Sequence, residues 1–263
     1  MEYRTKKRFG QHFLHDQGVI DKIMTAAALD GSQRVVEIGP GLGVLTDRLL
    51  PLAAQVEVME IDRDLIERLN QRSDPGLIVH GGDVLKLPWG ELFNQPPYIM
   101  VANLPYNISS QVVFRILEYR HLFERLVLMF QREVGERLLA APGSKDYGIL
   151  SVLCQLWFDL RNVTLVRPGA FNPPPKVDSI VLHFQRRVTP RVDPVDEGLF
   201  RKVVKGAFTQ RRKTLRNSLQ GAGFMAAEID IALDTTGIDP GRRGETLHLE
   251  EFSALTRAFF SRS

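Results

Sequence analysis

Four consecutive residues, Asn103, Leu104, Pro105 and Tyr106, follow the apolar run YIMVA and end it on an amide, a main-chain carbonyl, a proline and an aromatic ring. The Asn103 side-chain oxygen accepts a hydrogen bond. So does the Leu104 carbonyl, which the following proline neither blocks nor competes with as a donor. Tyr106 offers a flat face on which a base stacks. These groups match what is needed to hold an exocyclic amine by both N–H groups, stack its ring and aim the nitrogen at an electrophile. Alignment of that kind supplies roughly 7–11 kcal/mol of barrier reduction, far more than the roughly 1–3 kcal/mol of one stacked base. A proline turn with a core tyrosine would account for Pro105 and Tyr106, but not for an amide at a strand end.

A second set of residues lies upstream, in VVEIGPGLGVLT. An apolar run enters Gly39, Gly41 and Gly43, so the backbone of the turn can approach a ligand with no side chain in the way. The spacing is G-x-G-x-G rather than the dinucleotide G-x-G-x-x-G, and Pro40 removes an amide that might hold a phosphate. That argues for a cofactor without a pyrophosphate. Glu37 either orients this loop or faces the ligand's amino group; the bland alternative is an exposed acid. Glu60, with Ile61 beside it, closes VEVMEI where an open α/β sheet presents a carboxylate to a ribose diol, while Asp62 reads as a helix cap. Asp83, at the end of LIVHGGD, suits an adenine amino group, with Val84 against the ring. Each acid alone is compatible with a solvated loop. Three at successive strand ends beside a glycine turn ask for a nucleoside with hydroxyls and an adenine but no phosphates near the glycines, and S-adenosylmethionine fits.

The elements that must position these residues are legible as alternation. RVVEIG, QVEVMEI, LIVHGG, YIMVAN and RLVLMFQ are runs suited to strands buried on both faces, and LTDRLLPLA, DRDLIERLNQRS and SSQVVFRILEY between them read as helices. The last of these is expected to be capped by Asn107, Ser109 or Ser110. This predicts an α/β fold with a mostly parallel sheet and right-handed crossovers. SVLCQLWFDL and VDSIVLHFQRR are expected to close it as a pair, the last strand antiparallel. After Arg187, VTPRVDPVDEG reads as a linker and only helix-type segments follow. The predicted division is therefore 1–187 for a catalytic domain and 188–263 for a small all-α domain.

Composition narrows the function. The 263 residues are 44% hydrophobic and contain one cysteine, Cys154, inside an apolar run, which excludes a disulfide framework or a cysteine metal site and leaves it as a core residue. The histidines have no metal-ligand spacing. No stretch approaches the roughly 18 apolar residues of a membrane span, and the N-terminus carries charges where a signal peptide needs an apolar run, so a cytoplasmic chain with no membrane partner is expected. Net charge is only +3, but residues 1–15 carry four Lys/Arg against one Asp/Glu, and residues 186–263 carry 14 against 10. Two basic ends suggest a polyanion, with nucleic acid favoured over membrane, while the count alone is equally compatible with solvated charge. Arg211, Arg212, Lys213 and Arg216, in QRRKTLRNSL, are expected within two turns of a helix, where several reach one phosphate backbone. In AFNPPPKVDS, three prolines make a stiff segment that can hold Phe171 as the other half of a base clamp and leave Lys176 to meet phosphate; taken without the other motifs, it reads instead as a rigid crossover before the last strand.

The sequence resembles the ribosomal RNA adenine N6,N6-dimethyltransferases, and among them the bacterial small-subunit type. The likeness is carried by KRFGQHFL, EIGPGLG, GDVL, NLPYNIS, KDYGILSVLCQ, FNPPPKVDS and AFTQRRKTLRNSL. It implies a Rossmann-like S-adenosylmethionine-dependent methyltransferase sheet with a helical C-terminal domain for RNA and ribosome recognition. It further implies that Gln11–Leu14 lies over the cofactor, with Gln11, His12 and Leu14 contacting it; many relatives carry Asn where this chain has His12. Gly39 and Gly41 match the loop at the methionine portion, Glu60 and Ile61 the ribose contact, Asp83 and Val84 the adenine contact, and Asn103 a residue touching both methyl and target. The implied reaction converts two adjacent adenosines in the 3′-terminal hairpin of small-subunit (16S) rRNA to N6,N6-dimethyladenosines, leaving S-adenosyl-L-homocysteine, with a role in small-subunit biogenesis by a monomer. The alternatives are an enzyme of large-subunit rRNA or DNA adenine, and a mainly non-catalytic assembly factor.

Overall fold

Residues 11–261 are described by the computed structural model, beginning with a two-residue strand β1 (Phe13–Leu14) and helix α1 (Gln17–Ala27), capped where the Asp16 carboxylate accepts from the Val19 amide at 3.0 Å. Arg4, Lys6, Lys7 and Arg8, the cations of the expected N-terminal basic arm, lie outside the described residues. Alternation follows through β2 (Arg34–Ile38), α2 (Val44–Leu49), β3 (Gln55–Glu60), α3 (Arg63–Asn70), β4 (Leu77–Gly81), α4 (Trp89–Leu92), β5 (Tyr98–Asn103), α5 (Ser109–Glu118) and β6 (Phe123–Gln131). Next come α6 (Arg132–Leu139), α7 (Ile149–Trp157), β7 (Phe158–Val166), β8 (Phe171–Asn172) and β9 (Ser179–Arg186). Helices α8 (Glu197–Ala207), α9 (Leu215–Gly221), α10 (Ala226–Thr236) and α11 (Leu249–Phe260) complete the chain.

Seven strands form one sheet in the order β4-β3-β2-β5-β6-β9-β7. β2, β3, β4, β5 and β6 pair in parallel, and β9 runs antiparallel to β6, with Gln131 opposite Ser179. One face packs on α1 and α2 through Ile20, Ile23, Leu45 and Leu49 against Val35, Val58, Ile99 and Val127. The other carries a ring cluster of Trp89, Phe93, Tyr98 and Phe123. The strands enter this core as apolar runs because both faces are covered.

Three expectations are corrected. SVLCQLW is helical, forming most of α7, and the strand begins only at Phe158. Leu150–Cys154 and Leu156 are all buried, so the helix is apolar nearly all round and shows no one-sided period. The closing pair is β9 and β7, adjacent at the sheet edge. At the start of α5 the N-cap position is held by Ile108 with no side-chain cap, not by Asn107, Ser109 or Ser110. Finally, Arg211, Arg212 and Lys213 lie in turns between α8 and α9, and only Arg216 is on a helix. Thr214 accepts from the Asn217 amide and starts α9 after the cations rather than before them.

The chain divides into two compact units, Met1–Gly135 with Asp159–Arg186, and Glu136–Phe158 with Arg187–Ser263. A boundary at 187/188 assigns 136–158 to the first unit, whereas here that segment groups with the helices. Tyr147 meets Phe208 edge-on, and the Arg211 guanidinium donates to the Lys145 and Tyr147 carbonyls. The core of this second unit is Phe200, Val203, Leu219, Phe252 and Leu255. Cys154 is buried there, and burial pushes its thiol up.

Candidate active site

The parallel strands β2, β3 and β5 point their C-terminal ends at one edge of the sheet, and a cavity of about 330 Å³ opens there. Gln11, His12 and Leu14 line it from the N-terminal segment, Glu37, Gly39 and Gly41 from the turn after β2, and Glu60 and Ile61 from the end of β3. Asp83 and Val84 line it after β4, and Asn103, Leu104, Pro105 and Tyr106 after β5. Residues about 90 positions apart in sequence thus share one wall.

The turn is held open by its glycines. Gly39, Gly41 and Gly43 have φ of +65°, +59° and +89°, and a Cβ on Gly41 would stand 2.7 Å from the Phe13 ring. The N-terminal segment therefore lies directly on the turn. Glu60 stabilises the same place from below: one carboxylate oxygen accepts from the Ile61 and Asp62 amides at 2.8 and 2.9 Å, the other from the Gly41 amide at 3.4 Å. Burial raises its pKa against the opposing pull of those three amides. Asp62 caps α3 as expected, accepting from the Asp64 amide, and also accepts from the Gln11 amide group at 3.3 Å. Glu37 is 1% exposed rather than a solvated acid, and accepts a 2.6 Å hydrogen bond from Thr46 of α2. Burial pushes it up to about 8, outweighing the Thr46 bond.

Around Asn103 the geometry fixes the amide. Its Nδ2 donates to the His12 carbonyl at 3.1 Å, and since a carbonyl only accepts, Oδ1 is the acceptor left to a ligand. The imidazole of His12 stacks on Tyr106, with ring centroids 5.7 Å apart and planes at 24°. Its Nδ1 lies 2.7 Å from the Pro173 carbonyl and so carries the proton of that bond. Tyr106 is tied by its hydroxyl to Ser179 at 2.5 Å, and burial raises its pKa, so it presents a neutral ring. Thr46, Phe13, Pro173 and Ser179 were not singled out in the sequence. Thr46, Pro173 and Ser179 each hold another side chain and Phe13 lies on the Gly41 turn, roles with no spacing signature of their own.

Phe171 is not brought to this cavity. It is 2% exposed, pairs as β8 with Leu14 of β1, and packs in the core with Val166 and Ala170. Its contribution is to anchor the N-terminal segment, so the clamp expected from Phe171 is corrected to a core contact. Lys176 is exposed. Arg216 makes a bidentate pair with Asp230 and Arg211 reaches Glu245 at 3.7 Å, so two of the five cations expected to meet phosphate already have carboxylate partners, while Arg212 and Lys213 are exposed.

Among the described residues, those lining the cavity include three carboxylates and no Lys or Arg. This donor and acceptor set suits a nucleoside with a cationic centre and disfavours a pyrophosphate. Sheet order, glycine turn and strand-end acids define the fold of the Rossmann-like S-adenosylmethionine-dependent methyltransferases. The profile "Ribosomal RNA adenine dimethylase" matches residues 2–258, and the chain belongs to that family. It is 62% identical over 257 residues to "Ribosomal RNA small subunit methyltransferase A" of Syntrophotalea carbinolica, covering 98% of this chain and 97% of the relative. A solved dimethyladenosine transferase from Plasmodium falciparum superposes with a TM-score of 0.81 at 29% identity, covering 95% of this chain and 98% of that one. The 23S rRNA methyltransferase ErmE gives 0.69 at 28% identity over 94% and 99%.

Proposed function

We propose that this chain transfers methyl groups from S-adenosyl-L-methionine to N6 of two adjacent adenosines in the 3′-terminal hairpin of small-subunit rRNA, acting as a monomer in the cytoplasm during subunit biogenesis. The observation that carries the reading is that the Asn103–Tyr106 turn and the glycine turn line one cavity, with the Asn103 amide fixed by the segment that covers both. The cofactor, when bound, supplies a methyl group made electrophilic by its sulfonium. The chain's own residues then have separate tasks. Glu60 and Asp83 offer carboxylates to ribose hydroxyls and an adenine amine, Gly39 and Gly41 admit the methionine portion, and Asn103 Oδ1 with the Leu104 carbonyl accept the two N–H groups of the target. Tyr106 stacks the target ring. No strong base is required, because the amine becomes acidic only once alkylated and a carbonyl or solvent takes its proton. Arg212, Lys213 and Lys176 offer exposed charge to the RNA backbone.

The small subunit is favoured over the large because the relative matched at 62% identity is a small-subunit methyltransferase, whereas ErmE matches at 28%. Labelled transfer from S-adenosylmethionine to immature small subunits, large subunits and adenine-containing DNA tests this. Label in the small-subunit rRNA alone is expected. Label in large subunits or DNA, with none in small subunits, contradicts it.

A further inference from the structure

The same sheet edge carries a second charged group beside the cavity. Arg167 follows β7, Arg132 follows β6, and Asp178 precedes β9, so three strand ends bring them together. The Asp178 carboxylate accepts from Arg167 Nη1 at 2.6 Å and lies 3.8 Å from Arg132 Nη1, while the Arg132 amide donates to the Asp178 carbonyl at 2.9 Å. Asp178 is mostly covered, but the Arg167 side chain is 78% exposed, and Lys176 is exposed two residues before Asp178. A guanidinium has five N–H donors in a rigid fork, and the bond to Asp178 uses one of them. Tied through one terminal nitrogen to a carboxylate, the fork is held in place while the rest of it stays exposed to solvent. The next residue, Ser179, is the one that bonds the Tyr106 hydroxyl. Asp178, which bonds Arg167 and lies near Arg132, is therefore the sequence neighbour of the partner of the ring that would stack the target base, and Lys176 precedes that partner by three residues.

We infer that Arg167 and Lys176, with Arg132 behind them on Asp178, receive the phosphodiester backbone next to the adenosine extruded into the cavity. This deepens the proposed function and rests on it. A base leaves its stack only if its backbone is rotated and held, and a cationic site close to the stacking ring fixes that rotation without reading sequence. The placement also explains the Asp178 carboxylate, which would otherwise repel RNA: it holds Arg167 at the strand end instead of letting a long side chain disperse in solvent.

The test is the salt dependence of binding to a short RNA hairpin with two adjacent loop adenosines, measured for the full chain and for Arg167→Ala, Arg167→Lys and Lys176→Ala. For each lost phosphate contact, the slope of log affinity against log salt should flatten by about 0.7, and Arg167→Lys should keep most of it. Cofactor affinity and melting temperature should stay at the wild-type value, which separates a lost contact from a damaged fold. Unchanged slopes in both alanine variants would overturn the site. So would variants that bind the hairpin normally but lose affinity for whole small subunits, because the patch would then meet a protein. Failure of the wild-type chain to methylate small subunits counts against the proposed function instead, so the two failures are distinguishable.

Discussion

Glu37 is held between two opposing influences. Thr46 donates to its carboxylate and favours the charged form, while burial at the end of β2 disfavours it and wins. The folded chain therefore keeps this proton up to about pH 8, whereas an unfolded chain releases it near 4.5. Between those values the folded state binds more protons, so the associated stability is fully present below pH 4.5 and is lost as pH rises through 8. The difference is on the order of a few kcal/mol. Glu37→Gln should remove that decline. Denaturation midpoints at pH 6 and pH 9 should converge for the variant and diverge for the parent, and parallel behaviour would count against a buried, protonated Glu37. The sequence left this acid facing the loop, facing the ligand or exposed; its burial depends on α2 folding across it.

At the scale of elements, the N-terminal segment and the glycine turn make one device. β1 pairs with β8, Phe13 lies on Gly41, and Gln11 and His12 reach Asp62 and Asn103. Gly41→Ala should weaken cofactor affinity at least ~10-fold, because the residue must keep a positive φ, at about 1–2 kcal/mol for any other residue, and its methyl would displace Phe13. Calorimetric titration with S-adenosylmethionine would show it; unchanged affinity would mean that the turn tolerates the methyl. The parallel strands were readable in the sequence because burial on both faces leaves uninterrupted runs such as YIMVAN. The strand-end acids were readable because an open sheet concentrates ligand groups at its carboxyl edge. What escaped has physical reasons. Helix α7 is buried all round and looks like a strand, β1 and β8 are two residues each, and Phe171 was assigned to the cavity because three prolines give stiffness but not direction.

For the whole molecule, the division into units gives a prediction that composition did not. A boundary at 187/188 follows the change in texture, but 136–158 packs with the C-terminal helices through Tyr147 and Phe208. A chain ended at Arg187 should expose Tyr147 and the neighbours it covers, bind a hydrophobic dye and melt at a lower temperature than the full chain. A soluble fragment with no dye binding would place 136–158 with the sheet after all. Among the described residues no helix is long and apolar enough to cross a membrane. Methyl transfer by the proposed route requires Asn103 to hold the adenine amine at the cofactor cavity. The most direct measurement is methyl transfer to immature small subunits by wild-type and Asn103→Ala protein, with cofactor affinity measured alongside. Transfer should fall by at least about 10²-fold with cofactor affinity largely retained; an Asn103→Ala variant with normal turnover would contradict it.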